Sequence, residues 1–596
     1  MHTPDTLLEG LNPKQKEAVL FTEGPILILA GPGSGKTKTL THRIAHLIQK
    51  NVLPEHILAV TFTNKAAGEM KARINTLLGT QAISRGSALF MGTFHSLGVR
   101  ILRAHASSIG YFPTFTISDQ DDTLSLIKEV MKEREINTKQ FAPGIIAHTI
   151  SGLKSDLVSP EQYAENMGLT DLFPKTVYDV YTLYQKRLKD SNTMDFDDLL
   201  MNTCHLFQRH PDILEAYQER FHYIHVDEYQ DTDRNQYMIV NMLAKKYRNI
   251  AVVGDDAQSI YSFRGADMQN ILNFEKDWPD AKIVVLDQNY RSTQVILDAA
   301  QGIISRNRIQ KEKNLWTEHQ GGETIKVTAL ENERAESEFV VQTMKSLVTD
   351  GYGAEDMVVL YRTNAQSRSI EESLLHHNFP YKIIGGTKFY QRKEVKDILA
   401  YIRIIVNPKD IISLKRIINV PPRGIGKKTF LTYMIARNSA ILPDSRQSDS
   451  TKTEINLTNF DTLIQKLAQC ARELTPAFFL KYLLTAVRYH EYLDDNTDHA
   501  DERWENVQEL VSLAARYDAL PMPQGLEKLL EDVTLMSEEE DKEALADVIS
   551  LMTMHAAKGL EFPVVFIIGL EEGVFPHSRS LFNPHELEEE RRLCYV

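Results

Sequence analysis

Residues 26–38 read Ile26-Leu27-Ile28-Leu29-Ala30-Gly31-Pro32-Gly33-Ser34-Gly35-Lys36-Thr37-Lys38, and the helix-like stretch Thr39 to Gln49 follows directly. The opening apolar run shows no alternation, as expected of a strand covered on both faces in a parallel sheet. The glycines let backbone N–H groups close round phosphate oxygens at a helix N-terminus. Lys36 can neutralise the β/γ-phosphates, and the Thr37 hydroxyl can ligate Mg2+. Ala30 stands where the simple pattern has its first glycine. A chance Gly-rich turn is the competing reading; the strand before it and the helix after it favour a nucleotide phosphate loop over Ala30 to Lys38.

Outward from this loop, further apolar runs precede helix-like stretches: Ile57 to Phe62, Tyr223 to Val226, Ile250 to Val253 and Ile283 to Leu286. A second set lies at Ile325 to Leu330, Met357 to Tyr361, Tyr381 to Ile384 and Val564 to Leu570. The sequence therefore predicts an α/β protein with two parallel-sheet lobes, each interrupted by a mainly helical insertion. The first lobe is expected over 1–92 and 222–287 with its insertion at 93–221, and the second over 288–386 and 548–596 with its insertion at 387–547. Within the second insertion, Pro443 to Thr458 is polar and aperiodic and reads as a mobile loop.

Ile224-His225-Val226-Asp227-Glu228 is an apolar strand that ends in two carboxylates. Phosphoryl transfer uses such a pair: Asp227 can hold Mg2+, and Glu228 can orient and deprotonate the attacking water. An Asp-Glu pair alone reads as an exposed turn. Together with the phosphate loop it predicts hydrolysis of a nucleoside triphosphate.

The 596 residues suggest about four domains at roughly 150 residues each. A chain 42% hydrophobic and 25% charged is ordinarily globular, which excludes collagen, coiled-coil rods and wholesale disorder. No apolar run reaches the roughly 20 residues of a membrane span, and Met1 to Asn12 lacks the pattern of a signal peptide, so a soluble cytoplasmic protein is expected. The three cysteines Cys204, Cys470 and Cys594 have neither metal-ligand nor disulfide spacing. The net charge of -14 argues weakly against a polyanion partner. Thr61 to His105 nevertheless carries Lys65, Lys71, Arg73, Arg85, Arg100 and Arg103 against the single acid Glu69; a polyanion groove and a solvated helix face both fit this stripe. Acid collects late, at Glu538 to Asp541 and Glu586 to Glu590, where a partner-docking loop and a solvated helix end are the two readings.

With these motifs stand Leu11-Asn12-Pro13-Lys14-Gln15, Thr61-Phe62-Thr63-Asn64-Lys65-Ala66-Ala67, Gly92-Thr93-Phe94-His95, Gly254-Asp255-Asp256-Ala257-Gln258-Ser259-Ile260-Tyr261 and Gln288-Asn289-Tyr290-Arg291-Ser292-Thr293. Further on come Leu360-Tyr361-Arg362-Thr363-Asn364, Arg423-Gly424-Ile425-Gly426, His555-Ala556-Ala557-Lys558-Gly559-Leu560-Glu561-Phe562 and Glu590-Arg591-Arg592-Leu593-Cys594-Tyr595-Val596. In this order they resemble the UvrD/Rep/PcrA family of superfamily 1 DNA helicases along nearly the whole chain. The resemblance implies two RecA-like lobes with ATP and Mg2+ between them. Gln15 would read the adenine edge and Tyr290 stack on its face. Glu561 would bind ribose, Gln258 sense the γ-phosphate, and Arg291 reach that phosphate from the opposite lobe.

For single-stranded DNA the resemblance points to Phe62, Asn64, Lys65, Arg73 and His95, then Tyr261, Phe263 and Arg264 directly after Gln258, and Arg362, Asn364 and His577 on the second lobe. Core packing is the alternative for each aromatic taken alone. Arg423, Gly424 and Gly426, with Lys427 and Lys428, would offer backbone N–H groups and cations to duplex phosphates ahead of a fork. The implied activity is ATP-dependent unwinding with 3′ to 5′ movement, in repair or replication restart near the nucleoid, by a monomer or a DNA-induced dimer. Phe263 stands where the family usually has Trp. The family also continues past this point into Gly-x-Thr-Arg, whose arginine is a second finger on the γ-phosphate, whereas this chain ends at Val596. The resulting expectation is a truncated product; the alternative function is an ATP-gated DNA-binding protein with little hydrolysis.

Overall fold

The computed structural model describes residues 6–79, 89–168, 170–384, 390, 392–426, 429–430, 433–434, 452–494, 500–536 and 547–596. The chain forms two compact units, one of Met1–Leu97, Thr203–Gly386 and Glu539–Val596, the other of Gly98–Asn202 and Thr387–Glu538.

Among the described residues the first unit holds two large parallel sheets and a short parallel pair of Gln288–Asn289 with Trp316–Thr317. Six strands, β1 (Ile26–Ala30), β2 (Ile57–Thr61), β3 (Phe90–Thr93), β4 (Tyr223–Val226), β5 (Asn249–Gly254) and β6 (Lys282–Leu286), lie in the order β3-β2-β4-β5-β1-β6. Every residue of β1 and β2 is buried, which explains the unbroken apolar runs. On one face Ile26, Ile28, Ala251 and Val253 pack against Leu40, Ile44, Met70 and Ile74. Parallel pairing sets Leu29 beside Gly254 and Val60 beside Val226. The loops that leave β1, β2, β4 and β5 therefore open on one edge of the sheet, where ligands of open α/β sheets bind.

The second sheet has four strands, β7 (Met357–Tyr361), β8 (Tyr381–Ile383), β9 (Ile549–Thr553) and β10 (Val564–Ile567), in the order β8-β9-β7-β10, again all parallel. The expected strand Ile325 to Leu330 does not form. Residues 323–330 are exposed and without regular secondary structure, with Val327 at 90%. Strand propensity is realised only where a neighbouring ladder accepts it, and no described strand lies alongside this segment. The run at Val564 to Leu570 is likewise shorter than read, and the chain turns at Gly569 with φ +70°.

The second unit is helical. In 98–202 the helices Gln120–Glu133, Pro143–Ser155, Pro160–Met167 and Leu172–Asp190 enclose Ile127, Val130, Ile146, Val177 and Val180. In 387–538 a core of Ile398, Tyr401, Leu467, Phe479, Leu483, Leu510 and Leu529 is wrapped by helices that include Lys393–Val406 and Lys452–Glu473. That last helix corrects the loop expected up to Thr458: Lys452 to Thr458 is its first part, and the apolar positions Phe460, Leu467 and Ala471, at helical spacing, are what it buries. The rest of the expected loop, 443–451, lies outside the described residues, as do Arg85, Lys427, Lys428 and the acidic run Glu538 to Asp541.

Inside the 98–202 core Lys154 is fully buried. Its ammonium lies 2.6 Å from Asp195 and 2.8 Å from Asp198, and Tyr184 donates to Asp195 at 2.6 Å. Burial, then Asp195, push the neighbouring Asp197 up to about 8 and Asp198 up to about 6. Removing the single cation leaves carboxylates stranded in an apolar interior. Lys154→Ala is expected to cost about 3–5 kcal/mol at pH 8, read from urea unfolding of this unit. Carboxylic acids whose folded pKa is raised bind protons more tightly in the folded state, so the deficit shrinks as pH falls towards 5. A deficit that does not change with pH would contradict this account.

Candidate nucleotide and nucleic-acid site

The phosphate loop leaves β1 and enters the helix Lys36–Gln49, whose first free N–H groups face the loop. Gly33 and Gly35 have φ of +66° and +83°, a region that residues with a Cβ enter at a cost. A Cβ on Gly35 would also lie 2.8 Å from the Gln15 side-chain nitrogen. Ser34 donates to the Gly31 carbonyl at 2.7 Å and closes the loop.

Asp227 and Glu228 leave the end of β4. The Thr37 hydroxyl donates to Asp227 Oδ2 at 3.3 Å. Lys36 Nζ lies 3.4 Å from Glu228 Oε2 and 3.1 Å from Gln258 Oε1. Glu228 has φ +50° without being glycine, a strain typical of functional turns. Burial, then repulsion from Glu228, push Asp227 up to about 7, with Lys36 opposing. Burial would raise Glu228 too, but Lys36 and Lys558 outweigh it and hold that carboxyl down to about 2. One neighbour is thus close to protonation at neutral pH and the other fully ionised. A hydroxyl and a carboxylate facing each other across 3.3 Å are hard oxygen donors of the kind Mg2+ takes, so Thr37 and Asp227 would hold such an ion.

The remaining nucleotide candidates gather round the same loop. Gln15 is buried; its amide donates to the Ser34 carbonyl at 3.0 Å and its Oε1 caps Asn12. Asn289 donates to the Pro32 carbonyl at 2.7 Å. The Tyr290 hydroxyl is held by Asn12 at 2.9 Å and Gln288 at 2.8 Å, with the side chain 46% exposed. Arg291 and Glu561, read separately from the sequence, meet in an ion pair of 2.5 Å. Lys38 is turned to the Gly10 carbonyl at 2.8 Å.

The aromatic candidates also converge. Phe62, at the end of β2, stacks on Tyr261 with centroids 5.2 Å apart and planes 16° apart. Phe263 lies 6.0 Å from Tyr261 and is 55% exposed, and the Arg264 guanidinium sits over both rings. His555 meets Phe263 edge-on at 5.4 Å; burial, then the Arg362 guanidinium, push its imidazole down to about 4, so it is neutral at pH 7. Asn64, Lys65 and Arg73 lie on the helix Asn64–Leu78, where Lys65 and Arg73 flank Glu69 at 4.0 and 3.8 Å. His95 opens the helix Phe94–Ala104 after β3. Asn364 begins the turn that follows β7. Arg362 makes a two-pronged pair with Glu590 at 2.7 and 3.1 Å, and Glu590 also accepts the His577 N–H at 3.0 Å.

The Arg423 segment differs from its expectation. The Arg423 guanidinium turns inward to the Ile417 and Val420 carbonyls and the Tyr401 hydroxyl, and Asn419 accepts the N–H of both Arg423 and Ile425. Gly424 at φ +69° allows that fold-back, so this cation and these N–H groups brace the turn itself. Gly426 stays exposed.

Two family models match the chain, the UvrD/REP helicase N-terminal domain over residues 11–279 and the UvrD-like helicase C-terminal domain over 284–596. The chain belongs to the UvrD/REP helicase family. It is 47% identical over 606 residues to the protein of Bacillus subtilis strain 168 named ATP-dependent DNA helicase PcrA, covering 99% of this chain and 81% of that protein. Proteins of the same name from Staphylococcus aureus strain Mu50 and Staphylococcus epidermidis are 46% and 45% identical, each over 605 residues. Among the described residues no helix is long and apolar enough to cross a membrane.

The sequence reading of this UvrD/REP member assigned no role to Lys558, Asp231, Arg592 or Lys313. Lys558 reaches Asp231 and the Gln258 carbonyl; Arg592 donates to the Ser259 carbonyl at 2.8 Å; Lys313 holds Asp255 at 2.6 Å and also Asp256. Lys558 and Arg592 lie in stretches quoted for their motifs, and what identified them was a partner 327 and 333 positions away in the chain.

The raised Asp227 pKa carries a stability consequence. Between pH 4 and 7 the folded state binds this proton more tightly than the unfolded chain, so nucleotide-free stability falls as pH rises through that window. Asp227→Asn is expected to raise the melting midpoint of the Mg2+-free, nucleotide-free protein at pH 8 and to leave it nearly unchanged at pH 5. An equal effect at both values would refute the assignment.

Proposed function

We propose that this chain is an ATP-dependent DNA helicase that moves 3′ to 5′ on single-stranded DNA and opens duplex at ss/ds junctions in repair or replication restart. The observation that carries this reading is one short segment, Gln258 to Tyr261. It begins at a side chain 3.1 Å from the phosphate-loop ammonium and ends in an aromatic stack suited to unpaired bases. ATP chemistry and base stacking are three residues apart, as a motor requires. The polarity and the cellular setting rest on the family resemblance.

In this reading, Ala30 to Lys38 cradle the triphosphate, Gln15 and Tyr290 take adenine, and Glu561 takes ribose. Thr37 and Asp227 would hold Mg2+, whose charge would offset that developing on the phosphate group. Glu228 accepts the proton of the attacking water. Its basicity depends on Lys36: with the phosphates absent, Lys36 faces Glu228 and suppresses its proton affinity, and with ATP bound the ammonium turns to the phosphates. The base is thereby strengthened when there is something to hydrolyse. Arg291 exchanges Glu561 for phosphate oxygens, and Gln258 exchanges Lys36 for the γ-phosphate.

Phe62, Tyr261, Phe263 and Arg264 would line the DNA path with Asn64, Lys65, Arg73 and His95; Arg362, Asn364 and His577 would hold the backbone from the second lobe. Base stacking of this type is worth roughly 1–3 kcal/mol per base and ignores sequence.

Steady-state ATP hydrolysis with and without oligo-dT is expected to show strong stimulation by DNA that disappears in Lys36→Ala. Low turnover with no response to DNA in the wild type would refute the motor reading. Phe263→Ala is expected to weaken oligo-dT binding by about tenfold, and strand displacement on duplexes with a 3′ or a 5′ tail tests polarity.

A further inference from the structure

Four residues, Gln258, Ser259, Ile260 and Tyr261, separate the nucleotide side of the first sheet from its aromatic stack, and residues that follow β9 and β10 grip all of them. Lys558 Nζ donates to the Gln258 carbonyl at 2.8 Å, and Arg592 Nε donates to the next carbonyl, Ser259, at 2.8 Å. Ile260 is fully buried among Met554, Phe575 and Leu593. The Tyr261 hydroxyl donates to the His555 carbonyl at 3.4 Å.

Lys558 differs from the other three grips in what else it holds. Its side chain is 9% exposed, and its ammonium also pairs with Asp231, which lies in the turn Tyr229–Asp231 directly after Glu228. It sits 5.0 Å from the centre of the Tyr261 ring. An ammonium has three N–H donors. Here one meets the turn that carries the water-activating carboxylate, one meets the carbonyl of the γ-phosphate sensor, and the positive charge faces the stacking ring.

We propose that Lys558 is a positioning residue that couples the two halves of the reaction: its ammonium ties the Glu228–Asp231 turn to the Gln258–Tyr261 segment, so that a base stacked at Tyr261 raises the rate of hydrolysis. The proposal rests on the helicase reading above and deepens it. The coupling runs through one compact charge on a flexible stem, which can follow a small shift of either element without breaking its contacts.

The test compares wild type, Lys558→Met, Lys558→Arg and Asp231→Asn in ATP hydrolysis with and without oligo-dT, beside oligo-dT binding and thermal melting. In Lys558→Met the ratio of stimulated to basal turnover is expected to fall by about tenfold or more, within the range of measured site-to-site couplings, while the KM for ATP changes by less than about threefold. Lys558→Arg, which keeps the charge and its donors, is expected to recover part of the ratio. Asp231→Asn removes no buried cation and provides the second reading should Lys558→Met fold poorly: its ratio is also expected to fall. An unchanged ratio in the folded Lys558→Met or in Asp231→Asn, as when basal and stimulated turnover fall equally, overturns the coupling. A wild type that DNA does not stimulate overturns the helicase reading itself.

Discussion

Two adjacent carboxylates end a strand that is buried on both faces, and the interior can hold Asp227 and Glu228 together only because cations face them. Lys36 approaches from the phosphate loop, and Lys558 reaches the adjoining turn. In a low-dielectric site such a pair is costly unless it is matched. The arrangement divides the burden unequally: Glu228 receives the cations and stays ionised, while Asp227 is left near protonation until a divalent ion compensates it. That inequality gives two neighbouring acids two roles.

The parallel sheet makes this possible. All six strands of the first sheet run the same way, so the loops after β1, β2, β4 and β5 meet at one edge. Phosphate loop, carboxylates, Gln258 and Phe62 converge there although they span residues 30 to 258. The second sheet repeats the logic with Arg362 after β7, and His555, Lys558 and Glu561 after β9. Ion pairs between the two sets of loops, Arg291 with Glu561 and Lys558 with Asp231, are the contacts that bound nucleotide and DNA would rearrange.

The helical unit shows a different economy. Its stability includes a fully buried lysine among carboxylates and a turn braced by an inward arginine. Charged side chains in such places read in a sequence as surface or as ligand contacts. Arg423 followed by Gly424 looked like a nucleic-acid contact for that reason. Nothing local in the chain shows that Asn419 and Tyr401 are near enough to occupy it.

What the sequence determined by itself was whatever is written in contiguous residues: the strand, phosphate loop and helix of Ile26 to Gln49, the strand that ends at Asp227-Glu228, and the segment Gln258 to Phe263. In these, the chemistry and the element that presents it lie within a dozen positions, and backbone physics alone brings them together. The tertiary structure decided what depends on partners distant in the chain. Lys558 finds Asp231 across 327 positions, and Arg362 finds Glu590 across 228. Ile325 to Leu330, strand-like in composition, stays unpaired because a strand exists only where another backbone accepts its hydrogen bonds. Which charges meet is set by how the sheets and loops pack, and residue order alone carries no measure of that distance.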